Sequence, residues 1–179
     1  MKFSKVRDVK SPERGTGKAA GIDFFMPNFG PDDHESLDTS TVGTYLNPEL
    51  IVHPHSDVLI PSGIKMEIPE GYMLIGADKS GVVTSYNASL AAGRTPKAEA
   101  FDGSLIIGAK IIDEDFQGEI HIHLINTSDQ KIRIKPGMKI AQFILVPVCY
   151  APLEEVPESE LFTRASERGA GCFGSTGTY

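Results

Sequence analysis

The chain has 179 residues, 40% of them hydrophobic and 23% charged, with a formal net charge of -7. That length supports one domain with a sizeable core. The negative balance excludes broad nucleic-acid binding, because nothing offsets repulsion from the phosphate backbone, but it allows a small anionic substrate held by a few local cations.

The opening, MKFSKVRDVK, has no apolar stretch of the kind a secretory signal needs. No apolar run approaches the length of a membrane span, so no membrane contact is expected and cytosol is the default. Two cysteines, Cys149 and Cys172, make neither a disulfide framework nor a zinc site. The sequons at Asn87 and Asn126 carry no meaning without secretion.

AGIDFF, Ala20 to Phe25, puts a carboxylate after a glycine. GPDDHESLDTSTVG, Gly30 to Gly43, is polar and acidic and reads as a surface loop. VLIPSGIKMEIPEGYMLIGAD then supplies three short strands, punctuated by Pro61-Ser62-Gly63 and Pro69-Glu70-Gly71. ADKSG, Ala77 to Gly81, ends the last of them with a cation, a hydroxyl and a glycine in a row. The best helical candidate follows, in VVTSYNASLAAG, and AGRTPKAEAFDGS (Ala92 to Ser104) is a second excursion.

IIDEDFQGEI, Ile111 to Ile120, sets three acids beside an aromatic and a turn glycine. In EIHIHLIN, Ile120, Ile122 and Leu124 face one way, and Glu119, His121 and His123 face the other, toward solvent. KIRIK alternates likewise, with Ile132 and Ile134 inward. After the Pro136-Gly137 turn, KIAQFILVPV reads as a buried strand interrupted by a lone Gln142. VPESELFTRASE, Val156 to Glu167, is a linker to the glycine-rich end, RGAGCFGSTG. Such an end should be floppy, yet Arg, Phe and small hydroxyls are groups that grip phosphate and flat rings. The pattern as a whole is all-β, a sandwich or barrel.

Five of these stretches, AGIDFF, ADKSG, IIDEDFQGEI, PGMKIAQFI and RGAGCFGSTG, resemble in order the five motifs of the trimeric dUTP diphosphatase (dUTPase) family. The resemblance runs from Ala20 to Gly177 and includes the spacer LIPSGIKMEIPEGY. The related dCTP deaminases share the fold, but carry a catalytic Glu where this chain has Asp113. The resemblance implies a distorted β-barrel or jelly roll with a mobile C-terminal arm: residues 1–155 form the catalytic domain and 156–179 the linker and arm. It implies a homotrimer whose active sites are shared between subunits, with the arm ordering as a lid over dUTP.

The implied reaction is hydrolysis of dUTP to dUMP and pyrophosphate. Asp113 matches the carboxylate that activates water, and Gln142 the glutamine near the α-phosphate. Lys79, Ser80 and Gly81 match the phosphate-binding motif, with Lys standing where Arg is normal. Phe116 matches the aromatic wall against the deoxyribose, usually Tyr. Backbone groups around Gly108 to Ile112 read the uracil, with Lys110 where glycine is common. Asp23 matches the acid that holds a magnesium-bound water. In the arm, Arg168 pairs with the γ-phosphate, Phe173 stacks on uracil, and Gly174, Ser175 and Thr176 clasp the terminal phosphates, with Cys172 where glycine is common.

Departures at Lys79, Lys110 and Gln117 keep a second reading open, a hydrolase of the same fold for another deoxynucleotide. A third is a nucleotide-sensing regulatory protein that offers the excursions at 30–43 and 85–104 to a protein partner. The cytosolic expectation extends to a host-cell cytosol if the source is viral.

Overall fold

A computed structural model of the chain describes residues 1–30, 43–46, 49–79 and 103–171, the second segment by its backbone alone. The expected helix after Gly81, and most of both excursions, lie outside these residues. By contact the chain divides into Met1–Cys149 and Tyr150–Tyr179.

The first unit is all-β among the described residues. Its strands are β1 (Lys2–Lys5), β2 (Glu13–Arg14), β3 (Gly21–Phe25), β4 (Gly43–Leu46), β5 (Glu49–Val52), β6 (Asp57–Pro61), β7 (Ile64–Glu67), β8 (Tyr72–Ala77), β9 (Leu105–Ile107), β10 (Ile111–Ile112), β11 (His121–Asn126), β12 (Ile132–Ile134) and β13 (Lys139–Pro147). All pairings are antiparallel. The largest sheet runs β10-β8-β13-β3-β2, beside β6-β11-β9, β12-β5-β4 and the pair β1-β7. The all-β expectation holds, and β6, β7, β8, β11, β12 and β13 fall where the alternation put them.

Alternation decides which residues face the core. Ile120, Ile122 and Leu124 are buried from one face of the β11 segment, and Ile132 and Ile134 from β12. Along β3, four consecutive residues, Ile22 to Phe25, are buried, so both faces of this strand are covered. Phe24 meets Phe143 of β13 edge-on, with centroids 4.8 Å apart. The turn between β6 and β7 uses Gly63 at φ +74°, where a Cβ would also run into Val9. Its amide donates to Glu119, whose carboxylate is gripped by the Arg7 guanidinium at 2.8 Å.

Buried polar groups find partners throughout: among the described residues no buried side-chain nitrogen or oxygen is left unpaired. Asn126, fully buried, donates to the carbonyls of Val52, His53 and Gln130 and accepts from Ser128. That use removes it as a glycosylation acceptor. In the second unit, the stretch read as a linker contains a single helical turn, α1 (Glu158–Leu161), with no buried residue. Among the described residues no helix is long and apolar enough to cross a membrane.

Candidate functional site

Strands β3, β13 and β8 assemble one polar corner. Asp23 of β3 lies opposite Gln142 of β13, and Gln142 lies opposite Ala77 at the end of β8. This register brings the acid of the first motif, the lysine of the second and the glutamine of the fourth onto neighbouring backbone positions. Asp23 is only 4% exposed. Its Oδ1 is 3.0 Å from Lys79 Nζ and its Oδ2 is 2.6 Å from Lys139 Nζ. Burial alone would push the Asp23 carboxyl up, but hydrogen bonds from Lys139 and Lys79 outweigh it and hold the group below its ordinary value. Lys139 is raised in turn, chiefly by its hydrogen bond to Asp23, against a smaller opposing effect of burial.

Lys139 also reaches Glu13 at 3.4 Å, and Glu13 is paired with Lys10 at 2.9 Å. The corner therefore gathers three ammonium groups and two carboxylates, a local cationic excess in a chain of net charge -7. Lys139 reaches Asp23 because a bulge between Lys139 and Ala141 shifts the β13 register. Gln142 Nε2 donates to the Asp78 carbonyl at 3.0 Å. Gly21 leaves room for the Gln142 carboxamide, which a Cβ there would displace.

The second constellation surrounds the turn from β9 to β10, which pair with different sheets and not with each other. β9 pairs with β11, while β10 crosses to pair with β8. The Ile107 N–H donates to Asp78 Oδ1 at 2.7 Å. The Gly108 N–H donates to the His123 carbonyl at 3.0 Å, and the Ala109 N–H to His123 Nδ1 at 3.3 Å. His123 Nε2 meets Asp57 Oδ2 at 2.8 Å. His123 is thus half-buried and engaged, whereas His121 keeps the exposed position expected of both.

After β10 the chain turns, with the Phe116 N–H donating to the Asp113 carbonyl at 3.2 Å. Asp113 is exposed, Ile112 is half-buried, and the Phe116 ring is 42% exposed and packs beside Gly118. Glu114 accepts the Gly71 amide and anchors the turn. An open groove of about 410 Å³ is lined by Phe3, Met66, Glu114, Phe116 and Gln117 among others, and Asp23, Lys79 and Gln142 take no part in it.

Asp113 and Gln142 do not meet within one protomer, although Asp78 joins the turn to the polar corner. Ile112 is opposite Leu74, so the register carries Asp113 toward Met73, while Gln142 sits opposite Ala77. The separation along β8 is roughly four residues, or ~13 Å, with a further strand between. Arg168, in the second unit, donates from Nε to the Gly171 carbonyl at 2.9 Å within its own turn. Ser80, Gly81, Phe173, Gly174, Ser175 and Thr176 lie outside the described residues.

Three residues of these constellations were missed from the sequence. Lys139 looked like an ordinary strand-end lysine, and only the break of alternation at buried Ile140 and Ala141 marks the bulge that swings it inward. Asp78 and His123 carry no local signal, since their partners lie 29 and 14 residues away.

Among the described residues no group of three or more potential ligands could cage a metal. Asp23 is a single hard carboxylate with both oxygens held by ammonium groups. That donor set suits a cation only through water, with its remaining ligands from phosphate, as magnesium prefers.

Against known proteins, the family model described as dUTPase matches residues 82–177. The chain is 33% identical to a deoxyuridine 5'-triphosphate nucleotidohydrolase of Brucella melitensis over 130 residues, 73% of this chain and 71% of that protein. It is 37% identical to the Chlamydia pneumoniae enzyme of that name over 124 residues, 69% and 73% of the two chains. Among solved structures it resembles the dUTPase of Staphylococcus bacteriophage 80alpha with dUpNHpp, at TM-score 0.68 and 22% identity over 98% of this chain and 97% of that one. A dUTPase of phage phi11 of S. aureus, described with a structural Mg(II) ion, matches at TM-score 0.59 and 19% identity over 88% and 96%.

Proposed function

The chain belongs to the dUTPase family, and from that premise we infer that it hydrolyses dUTP to dUMP and pyrophosphate. The observation that carries this reading is the family match, whose span holds Asp113, Phe116, Gln142 and Arg168. The polar corner lies partly upstream of that span and supplies independent support: a cationic, glutamine-bearing recess suited to a triphosphate.

In this reading Asp113 takes a proton from a water, the water oxygen bonds to the α-phosphorus, and the bridging bond to the β-phosphate breaks. The pyrophosphate leaves on that bridging oxygen. An exposed carboxylate suits the task, because it can hold a water without first shedding a protein partner. Lys79 has three donors and gives one to Asp23, so it can hold a phosphate oxygen while keeping the ion pair. Ser80 and Gly81 follow it directly and would line the phosphate chain. Gln142, steadied on the Asp78 carbonyl and given room by Gly21, orients the α-phosphate and the water. Phe116 presents an exposed ring for the deoxyribose, beside Ile112. Asp23 would hold magnesium through a water, and the metal would supply neutralisation of the triphosphate's negative charge.

The separation of Asp113 from Gln142 along β8 favours a site completed by another copy of the chain. We therefore read the assembly as a homotrimer in which one protomer gives the turn and Asp113, a neighbour gives the polar corner, and an arm closes over both. Residues 156–179 are the arm in this scheme, with Arg168 exchanging its Gly171 contact for the γ-phosphate, and Phe173, Gly174, Ser175 and Thr176 following it onto the nucleotide. Cytosolic placement goes with a nucleotide substrate.

The test is pyrophosphate release from dUTP against dCTP, dTTP and UTP, with and without magnesium. dUTP is expected to be hydrolysed fastest, and magnesium to be required. Equal rates on all four would end the uracil reading. A monomer that turned over dUTP at full rate would end the shared site.

A further inference from the structure

We infer that Asp78 is a positioning residue that sets base specificity, by fixing the shape of the 107–110 turn. This rests on the dUTPase activity proposed above and on base reading by the backbone of 108–112.

Three consecutive amides of that turn are committed to the protein. Ile107 donates to Asp78 Oδ1 at 2.7 Å, Gly108 to the His123 carbonyl at 3.0 Å, and Ala109 to His123 Nδ1 at 3.3 Å. Two of the three acceptors are side chains outside the turn. A backbone that reads a base by its own donors and acceptors needs a fixed shape, and here side chains impose it. Lys110 is tied to the same strand end, with its carbonyl accepting the Gly76 amide and its Nζ 3.7 Å from Asp78 Oδ2.

Asp78 also touches the other constellation. Its carbonyl receives Gln142 Nε2 at 3.0 Å, and its chain neighbour Lys79 grips Asp23 at 3.0 Å. The main chain of Asp78 serves the polar corner, and its side chain serves the turn. Substituting the side chain should therefore affect base binding and spare the Gln142 contact.

The two side-chain contacts are unequal. The pair with Lys110 is long, and both partners are more than a third exposed at the side chain or close to it, 43% and 34%. Such pairs contribute little. The bond from the Ile107 amide to a carboxylate is short and charge-assisted, the stronger kind. The geometry thus assigns the effect to that hydrogen bond rather than to the pair with Lys110, and Asn, which keeps a neutral acceptor oxygen, should restore about half of it.

Steady-state kinetics with dUTP and dCTP on Asp78→Ala, Asp78→Ser and Asp78→Asn separate these roles. Asp78→Ala and Asp78→Ser are expected to raise KM for dUTP about tenfold, the size of one charge-assisted bond. kcat should stay within about threefold, and the preference in kcat/KM for dUTP over dCTP should narrow by a similar tenfold. Asp78→Asn, a neutral acceptor, should recover about threefold of each tenfold loss. A merely structural loss would lower the active fraction, and so apparent kcat, at constant KM and constant preference. Wild-type KM and preference in the Ala and Ser variants would overturn the inference, as would an Asn variant no better than Ala. If Ala does not fold, Ser and Asn still decide it. An inactive wild-type enzyme would instead be a failure of the proposed function.

Discussion

At the proposed phosphate end of the candidate site, Asp23, Lys79 and Lys139 hold one another through side chains beside Gln142, and the central acid is 4% exposed. At the base end, the 107–110 turn offers main-chain groups held from behind by Asp78 and His123, and Asp113 stands exposed just beyond it. The first region is built into the core sheet, so its chemistry and its stability share the same atoms. The second is hung on the edge of two sheets, so its geometry can change with little cost to the fold. Substitutions should therefore divide: at the base end they alter kinetics alone, and at the phosphate end they alter kinetics and stability together.

Asp113→Asn gives the largest expected effect. Removing the base should lower kcat roughly a thousandfold, while an equilibrium titration with a non-hydrolysable dUTP analogue stays within about threefold of wild type. Because Asp113 is exposed and its turn is closed by its main chain, the midpoint of urea unfolding should not move. An Asn variant with normal turnover would remove Asp113 from the role.

Gly21→Ala comes next and sharpens the contrast from the other side. The added Cβ displaces the Gln142 carboxamide, the flexible far end of a side chain, so the strand pairing should survive. Misplacing an orienting group by about an ångström can cost about a hundredfold in kcat/KM, and the loss should fall here. Normal kinetics in this variant would show that Gln142 is not used in the position seen.

Lys139→Met tests whether the phosphate end is also structural. It leaves Oδ2 of a nearly buried carboxylate without its 2.6 Å partner. Lys139 is itself about a third exposed, which puts the cost at the low end for such a loss, about 1 kcal/mol by urea unfolding. The preference for dUTP over dCTP should not change. If stability held and base preference moved, the division between the two ends would be wrong.

The same division explains how much could be read in advance. Strands with clean alternation, such as β11 and β12, were legible because burial imposes a period of two. β9 and β10, three and two residues long, are too short to show a period, and they flank the turn itself. Asp23, Lys79 and Gln142 were picked out because their motifs resemble the family's by residue type, and the structure brings the three into one corner. Lys139 was hidden behind a bulge that breaks the strand's alternation. Asp78 and His123 were hidden because backbone recognition leaves no residue type to find, and only the folded register brings their side chains to the turn.

A further ion cluster, outside both ends, gives the smallest effect and calibrates the first. Glu49 of β5 is held by Arg133 at 3.1 Å and Lys135 at 3.4 Å, the same one-acid, two-cation pattern as Asp23, but at the surface. Hydrogen bonds from Arg133 and then Lys135 keep its carboxyl below the ordinary 4.5, against a smaller effect of burial. A depressed folded value means the stabilisation is present above about 4.5 and is lost as pH falls through the lower folded value. Glu49→Gln should therefore unfold at slightly lower urea than wild type at pH 7, and the gap should close as pH falls below 4.5 through the lower folded value, where the wild-type acid is protonated as well. At pH 7 the gap should be well below that of Lys139→Met, because solvent screens the exposed pair and not the buried one. Equal gaps would mean that burial adds nothing to the Asp23 cluster, and the structural half of the comparison would fail.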